Sequence, residues 1–121
     1  MSNKSILIVG AGALGINTGY HLQLAGADVS FLVRPNKLET LSRPQRLYCY
    51  NDHSVKTFDG YQIYTNPTDL HDKTFDFVLL TLDGAACRTN DGVSTLQQLG
   101  AALNGKETHL IIWKITLIFT M

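Results

Sequence analysis

Three glycines, Gly10, Gly12 and Gly15, are spaced G-x-G-x-x-G within the run GAGALG. Missing side chains at those places meet three separate needs. Gly10 permits a tight turn, Gly12 lets the backbone approach a pyrophosphate, and Gly15 allows a helix to lie close on neighbouring strands. A helix opening at this point aims unpaired N–H groups and the positive end of its dipole at an anion, so the phosphates need no basic side chain in the turn. Ala11, Ala13 and Leu14 fill the rest of the loop and are read with the glycines as cofactor contacts. The competing reading is a strand-to-helix turn that binds nothing, since glycine triplets occur in many loops.

A second chemical signal lies at Val33-Arg34. In dinucleotide folds an acid about 20 residues beyond the glycines accepts hydrogen bonds from the ribose 2′-hydroxyl of NAD. An arginine suits a 2′-phosphate instead, and Lys37 stands close enough to share in neutralising it. Charge-assisted hydrogen bonds contribute roughly 1.5 to 3 kcal/mol each, so one such contact favours NADP(H) over NAD(H) by about tenfold or more. The alternative for Arg34 is a solvated loop arginine. Asp28 opens the strand that ends at Val33 and is badly placed to meet a ribose.

These residues need a strand before the turn, a helix after it and a second strand leading to Arg34. Residues 4–9 hold the continuous apolar run Ile6-Leu7-Ile8-Val9, the pattern of a parallel strand buried on both faces. Residues 13–25 have helical spacing, with Ala13, Ile16, Tyr20 and Leu24 on one stripe and Gly26 as the stop. Residues 28–33 (DVSFLV) are again β-branched and apolar, which completes a right-handed βαβ unit.

Residues 34–46 read as a loop with room for one helical turn. Three short β-like pieces follow at 47–50, 55–58 and 61–64. Asp59-Gly60 between the last two is a two-residue hairpin turn, so a small antiparallel excursion is expected. Residues 75–82 (FDFVLLTL) form the next buried strand, and Thr81 and Leu82 at its end complete the expected cofactor contacts. Val93, Leu96, Leu99 and Leu103 mark one face of a helix beginning near Gly92, and residues 110–113 give another strand. The fold class is α/β: a Rossmann-type parallel sheet flanked by helices, with a small antiparallel hairpin excursion.

With 121 residues, 45% apolar and 17% charged, the chain has the balance of one globular domain. Ten basic and ten acidic residues cancel, which leaves no overall field to hold a nucleic acid backbone or an anionic membrane. Cys49 and Cys87 belong to no metal or redox spacing and read as reduced thiols. His21, His53, His71 and His109 are scattered, so no metal site is expected. The opening MSNKSILIVG is too brief for a signal peptide, which gives a cytoplasmic location by default. The dinucleotide-binding domain is expected over residues 1–113. Residues 114–121 (KITLIFTM) form an apolar tail without a cap or polar end. Even counted from Leu110 the tail is shorter than the roughly 20 residues of a membrane-spanning helix, so it reads as a strand and the chain as truncated.

On GAGALG, the FLVRP that closes the second strand, and FDFVLLTL, the chain resembles the N-terminal domain of ketopantoate reductases (2-dehydropantoate 2-reductases) over residues 4–113. The resemblance implies NADPH-dependent reduction of a keto group, with a second, helical domain supplying the catalytic lysine and much of the substrate pocket. This chain is expected to lack that domain, and no catalytic residue is assigned. The family tends to place a lysine after its fourth strand, where this sequence has Leu82-Asp83. Its asparagine-glycine pair after the fifth strand is replaced by Trp113-Lys114-Ile115-Thr116. An acid at Asp83 would repel a carboxylate substrate. Asp83 either orients a substrate or water beside the nicotinamide or caps the following segment through Gly84.

Two functions from different classes follow. One is the cofactor domain of an NADP-dependent oxidoreductase, with hydride passing from C4 of the nicotinamide to the carbonyl of a small keto acid. The other is a non-catalytic dinucleotide-binding module or a truncated inactive fragment. The apolar edge at 115–119 also invites self-association, because an unpaired edge strand is a template for partners.

Overall fold

In the computed structural model, which describes residues 4–49, 52–81, 90–106 and 108–112, the first apolar run forms β1 (Ser5–Val9). Its side chains alternate between two cores. Ile6 and Ile8 pack with Ile16, Phe31 and Leu79, whereas Leu7 and Val9 pack with Leu32, Val78 and Leu99. Burial on both faces is why the run is apolar at successive positions instead of alternating.

The chain continues through α1 (Ala13–Leu24), β2 (Asp28–Leu32), the one-turn α2 (Leu38–Leu41), β3 (Gln45–Cys49), β4 (Ser54–Phe58) and β5 (Gln62–Tyr64). It then forms β6 (Phe77–Leu80), α3 (Asn90–Leu103) and β7 (His109–Ile112). Five parallel strands run in the order β5-β2-β1-β6-β7. Growth from β1 goes one way through β2 and β5, and then returns to lay β6 on the opposite edge. The order reverses between β1 and β6, and open α/β sheets bind ligands in the crevice at such a reversal.

The small antiparallel excursion is present, but as a ribbon of β3 with β4, paired from Gln45 with Phe58 to Cys49 with Ser54. The expected hairpin at Asp59-Gly60 does not form. β5 leaves that bend to run parallel to β2, with Ile63 opposite Phe31, and Val33 N–H extends the ladder to Tyr64 C=O at 2.9 Å. The reason is packing. Phe58 is fully buried against Phe31 and Tyr61, at ring-centroid distances of 6.0 and 4.7 Å, which pins the end of β4 onto the core beside the edge of β2. Gly60, at φ 78°, redirects the chain onto that edge. The dipeptide dictates a bend, and the partner is whichever edge lies within reach.

The buried stripe of α1 also differs from the expected one. Ile16 is buried and Tyr20 half-buried, but Leu24 is 67% exposed. Gly15 and Gly19 complete the face against the sheet. A Cβ on Gly19 would stand 2.8 Å from Phe31 Cζ and 3.2 Å from both Ile8 Cδ1 and Phe58 Cζ. Aromatic rings from the sheet side already occupy that volume, so the helix contributes bare backbone. α3 starts at Asn90, ahead of the expected Gly92, and buries Leu99 and Ala102 while Val93 stays exposed. On β7, Leu110 is 60% exposed. Cys87, Trp113 and the tail 114–121 lie outside the described residues. No helix among the described residues is long and apolar enough to cross a membrane.

Replacing a helix-interior glycine by alanine gains about 0.8–1 kcal/mol of propensity. At Gly100 a Cβ meets nothing within 4 Å, so Gly100→Ala should raise stability by about that amount. At Gly19 overpacking of about 1–3 kcal/mol opposes the gain. Gly19→Ala should therefore be neutral to destabilising, and Gly19→Val clearly destabilising. Denaturant midpoints check both, and an equal gain at the two glycines would show that the aromatic contact yields.

Candidate functional site

β1 is paired on both edges, so the chain must leave the sheet plane after Val9. Gly10 makes that exit at φ 104°, where an L side chain is strained. Its N–H donates to Leu32 C=O at 3.0 Å, tying the turn to the end of β2. Thr81, just beyond β6, ties the other side. Its N–H donates to Val9 C=O at 3.0 Å, and its hydroxyl to the same oxygen at 2.8 Å and to Gly10 C=O at 3.3 Å.

The other two glycines differ in what requires them. Gly12 caps α1 with φ −75° and ψ −174°, backbone that any residue adopts, and a Cβ there meets nothing within 4 Å. The fold does not need a glycine at that position, and the space beside it is open to a ligand. A Cβ on Gly15 would lie 2.6 Å from the Gly10 carbonyl oxygen and 3.1 Å from Thr81 Oγ1, so there the fold itself excludes a side chain. α1 has no side-chain cap at its N-terminus and no acid in its first turn, which leaves its leading N–H groups and dipole uncompensated.

A cleft of about 900 Å³ opens over this turn. Gly10, Ala11 and Gly12 form one wall, and Arg34 and Lys37 stand on another. Arg34 precedes and Lys37 ends the 3₁₀ turn Pro35–Lys37 that follows β2; both are exposed, and neither side chain has a hydrogen bond or ion pair among the described residues. No described carboxylate lines the cleft. The structure thus brings five of the expected site residues together. Ala13 opens α1, Leu14 is half-buried off the cleft, Gly15 is buried, and Thr81 lies against the turn without lining the cleft. Leu82, Asp83 and Lys114 lie outside the described residues.

Other lining residues carried no sequence expectation. Thr65 and Pro67 follow β5, and Ser94 and Thr95 come from α3. Asn66 Oδ1 accepts the Thr68 N–H at 3.1 Å and caps the 3₁₀ turn Pro67–Leu70, whose Leu70 is fully buried. Lys106, past the end of α3, donates from Nζ to the carbonyls of Leu70 at 2.9 Å, His71 at 2.6 Å and Lys73, which locks α3 to that turn. Thr65 was within reach of sequence reasoning: had 61–64 been read as a strand of the main sheet, the loop after it would have joined the same rim. Ser94 and Thr95 had no such signal, because hydroxyls on the polar side of an amphipathic helix are ordinarily solvated.

A parallel sheet that reverses order beside a glycine turn, with a cleft over that turn, defines a Rossmann-type domain. The family model of ketopantoate reductase PanE/ApbA matches residues 6–113, and the chain belongs to that family. Among solved structures, 2-dehydropantoate 2-reductase from Methylococcus capsulatus is similar with a TM-score of 0.70 at 21% identity, over 91% of this chain and 33% of that one. A protein described as a candidate ketopantoate reductase from Ralstonia solanacearum MolK2 gives a TM-score of 0.73 at 27% identity, over 93% of this chain and 32% of its own. A candidate NAD-dependent epimerase/dehydratase from Methylobacillus flagellatus shares the fold at a TM-score of 0.55 and 21% identity, over 92% of this chain and 37% of its own. This chain spans about a third of the length of the two reductases. No curated protein matches it.

The two glycines should respond oppositely in the ligand-free chain. Gly15→Ala drives a Cβ into backbone and should cost about 1–3 kcal/mol or more. Gly12→Ser puts a good N-cap residue into open space and should leave stability unchanged or slightly higher. Thermal unfolding measures both, and a stable Gly15→Ala variant would mean that the turn can shift.

Proposed function

We propose that this chain is the NADP(H)-binding domain of a ketopantoate-reductase-type oxidoreductase. The observation that carries the reading is a single cleft with an open glycine turn on one wall, Arg34 and Lys37 on another, and no described carboxylate on any. Gly12 and the start of α1 would receive the pyrophosphate, and Arg34 with Lys37 the 2′-phosphate. An NAD-selective site of this class would carry an acid at the carboxyl end of β2. Here the sequence after Leu32 is VRPNK, and Asp28 stands at the amino end of β2, opposite Ser5.

When bound, the nicotinamide supplies a hydride for a carbonyl, and a small keto acid is the substrate class this reading implies for the whole enzyme. The part played by this chain is to hold and orient the cofactor. Cofactor binding without turnover is the behaviour expected of these 121 residues by themselves.

Fluorescence titration of the folded chain with NADPH and with NADH at one fixed salt concentration tests the proposal. NADPH should bind tighter by about tenfold or more. Arg34→Ala should weaken NADPH and leave NADH nearly unchanged; equal weakening of both would make Arg34 a structural residue. No saturable binding of either by a folded chain rejects the reading. Because Arg34 is exposed, the preference should also narrow as salt rises and the Debye length falls from about 10 Å at 0.1 M to about 3 Å at 1 M.

A further inference from the structure

We infer that Thr81 is a positioning residue: it holds the glycine turn in the form that receives phosphate, and it acts through the turn instead of touching the cofactor. The inference rests on the cofactor reading above. A threonine hydroxyl has one proton to donate, and here that proton is shared between Val9 C=O at 2.8 Å and Gly10 C=O at 3.3 Å. What remains on the oxygen is lone pairs, which a phosphate oxygen repels. Thr81 is half-buried and does not line the cleft.

The residue it holds needs holding. Glycine at positive φ has a broad choice of conformations, and among the described residues no other side chain hydrogen-bonds to Gly10. The Gly10 N–H is already fixed to Leu32. Its carbonyl is the freer end, and rotating the following peptide would swing that negative oxygen toward the anion site. The hydroxyl of Thr81 bonds this carbonyl on the side where Gly15 packs, since a Cβ on Gly15 would touch both atoms. The glycine at position 15 and the hydroxyl at position 81 therefore form one device that keeps the carbonyl turned inward, so the ordering cost of phosphate binding is met before the ligand arrives.

The test compares the parent chain with Thr81→Val, which keeps the shape without the donor, and Thr81→Ser, which keeps the donor. Thr81→Ala is a second donor-free variant should valine crowd Gly15. Hydrogen exchange of the amides at residues 10–15 in the ligand-free protein reads the turn, and NADPH titration reads the site. The donor-free variants should exchange faster in the turn and bind NADPH more weakly, each by about tenfold, and serine should restore both. Unchanged exchange in the donor-free variants overturns the inference, as does faster exchange with unchanged affinity, which would mark Thr81 as merely structural. A parent chain that binds no NADPH defeats the cofactor reading and the phosphate half of this inference together; the exchange measurement still decides whether Thr81 fixes the turn.

Discussion

Val9 is the last residue of a strand with hydrogen-bonded neighbours on both edges and packed side chains on both faces, and this confinement governs the rest of the molecule. A chain leaving such a strand has no room to continue and no free edge to join. It must turn at once, over the ends of β2 and β6, in a conformation that suits glycine. The cleft opens over that turn, lined by the turn itself, the segment after β2, the residues that follow β5 and the first part of α3.

Close approach of α1 is the second condition. A helix packed on a sheet ordinarily stands off by the length of its side chains, and its N-terminus stands off with it. Gly15 and Gly19 remove that spacing at two successive turns of the helix, and the rings of Phe31 and Phe58 fill what is left. The same aromatic group, with Tyr61, anchors the end of the β3–β4 ribbon and brings β5 to the edge of β2. Packing on this side of the sheet thereby delivers Thr65 and Pro67 to the cleft rim. On the other side, Lys106 locks α3 to the turn after β5, and Ser94 and Thr95 of α3 line the same cleft as the cations.

At the proposed cofactor site, binding chemistry is divided between backbone and side chain. The turn offers amide dipoles, fixed by hydrogen bonds and insensitive to side-chain identity except where bulk intrudes. In the proposed reading, discrimination falls to Arg34 and Lys37, two exposed cations at the two ends of a short 3₁₀ turn, where substitution leaves the core untouched. On that reading the scaffold can change its preferred dinucleotide without being refolded.

The sequence by itself determined the strand–turn–helix–strand unit around GAGALG, the presence of a small antiparallel excursion, the later strands β6 and β7 and the position of Arg34 just past β2. Those features are written in short-range terms: an apolar run buried on two faces, glycines at fixed offsets, and a cation two residues past a strand. Only the tertiary structure decided that β5 joins the main sheet instead of closing a hairpin, that Gly19 and not Leu24 faces the sheet, and that Ser94 and Thr95 reach the cleft. Asp59-Gly60 specifies a bend but not the edge the chain meets after it. A glycine carries no hydrophobic signal even where its missing side chain makes the contact. A hydroxyl on a helix looks the same whether water or a cleft lies before it, because that difference is set by residues far away in the chain.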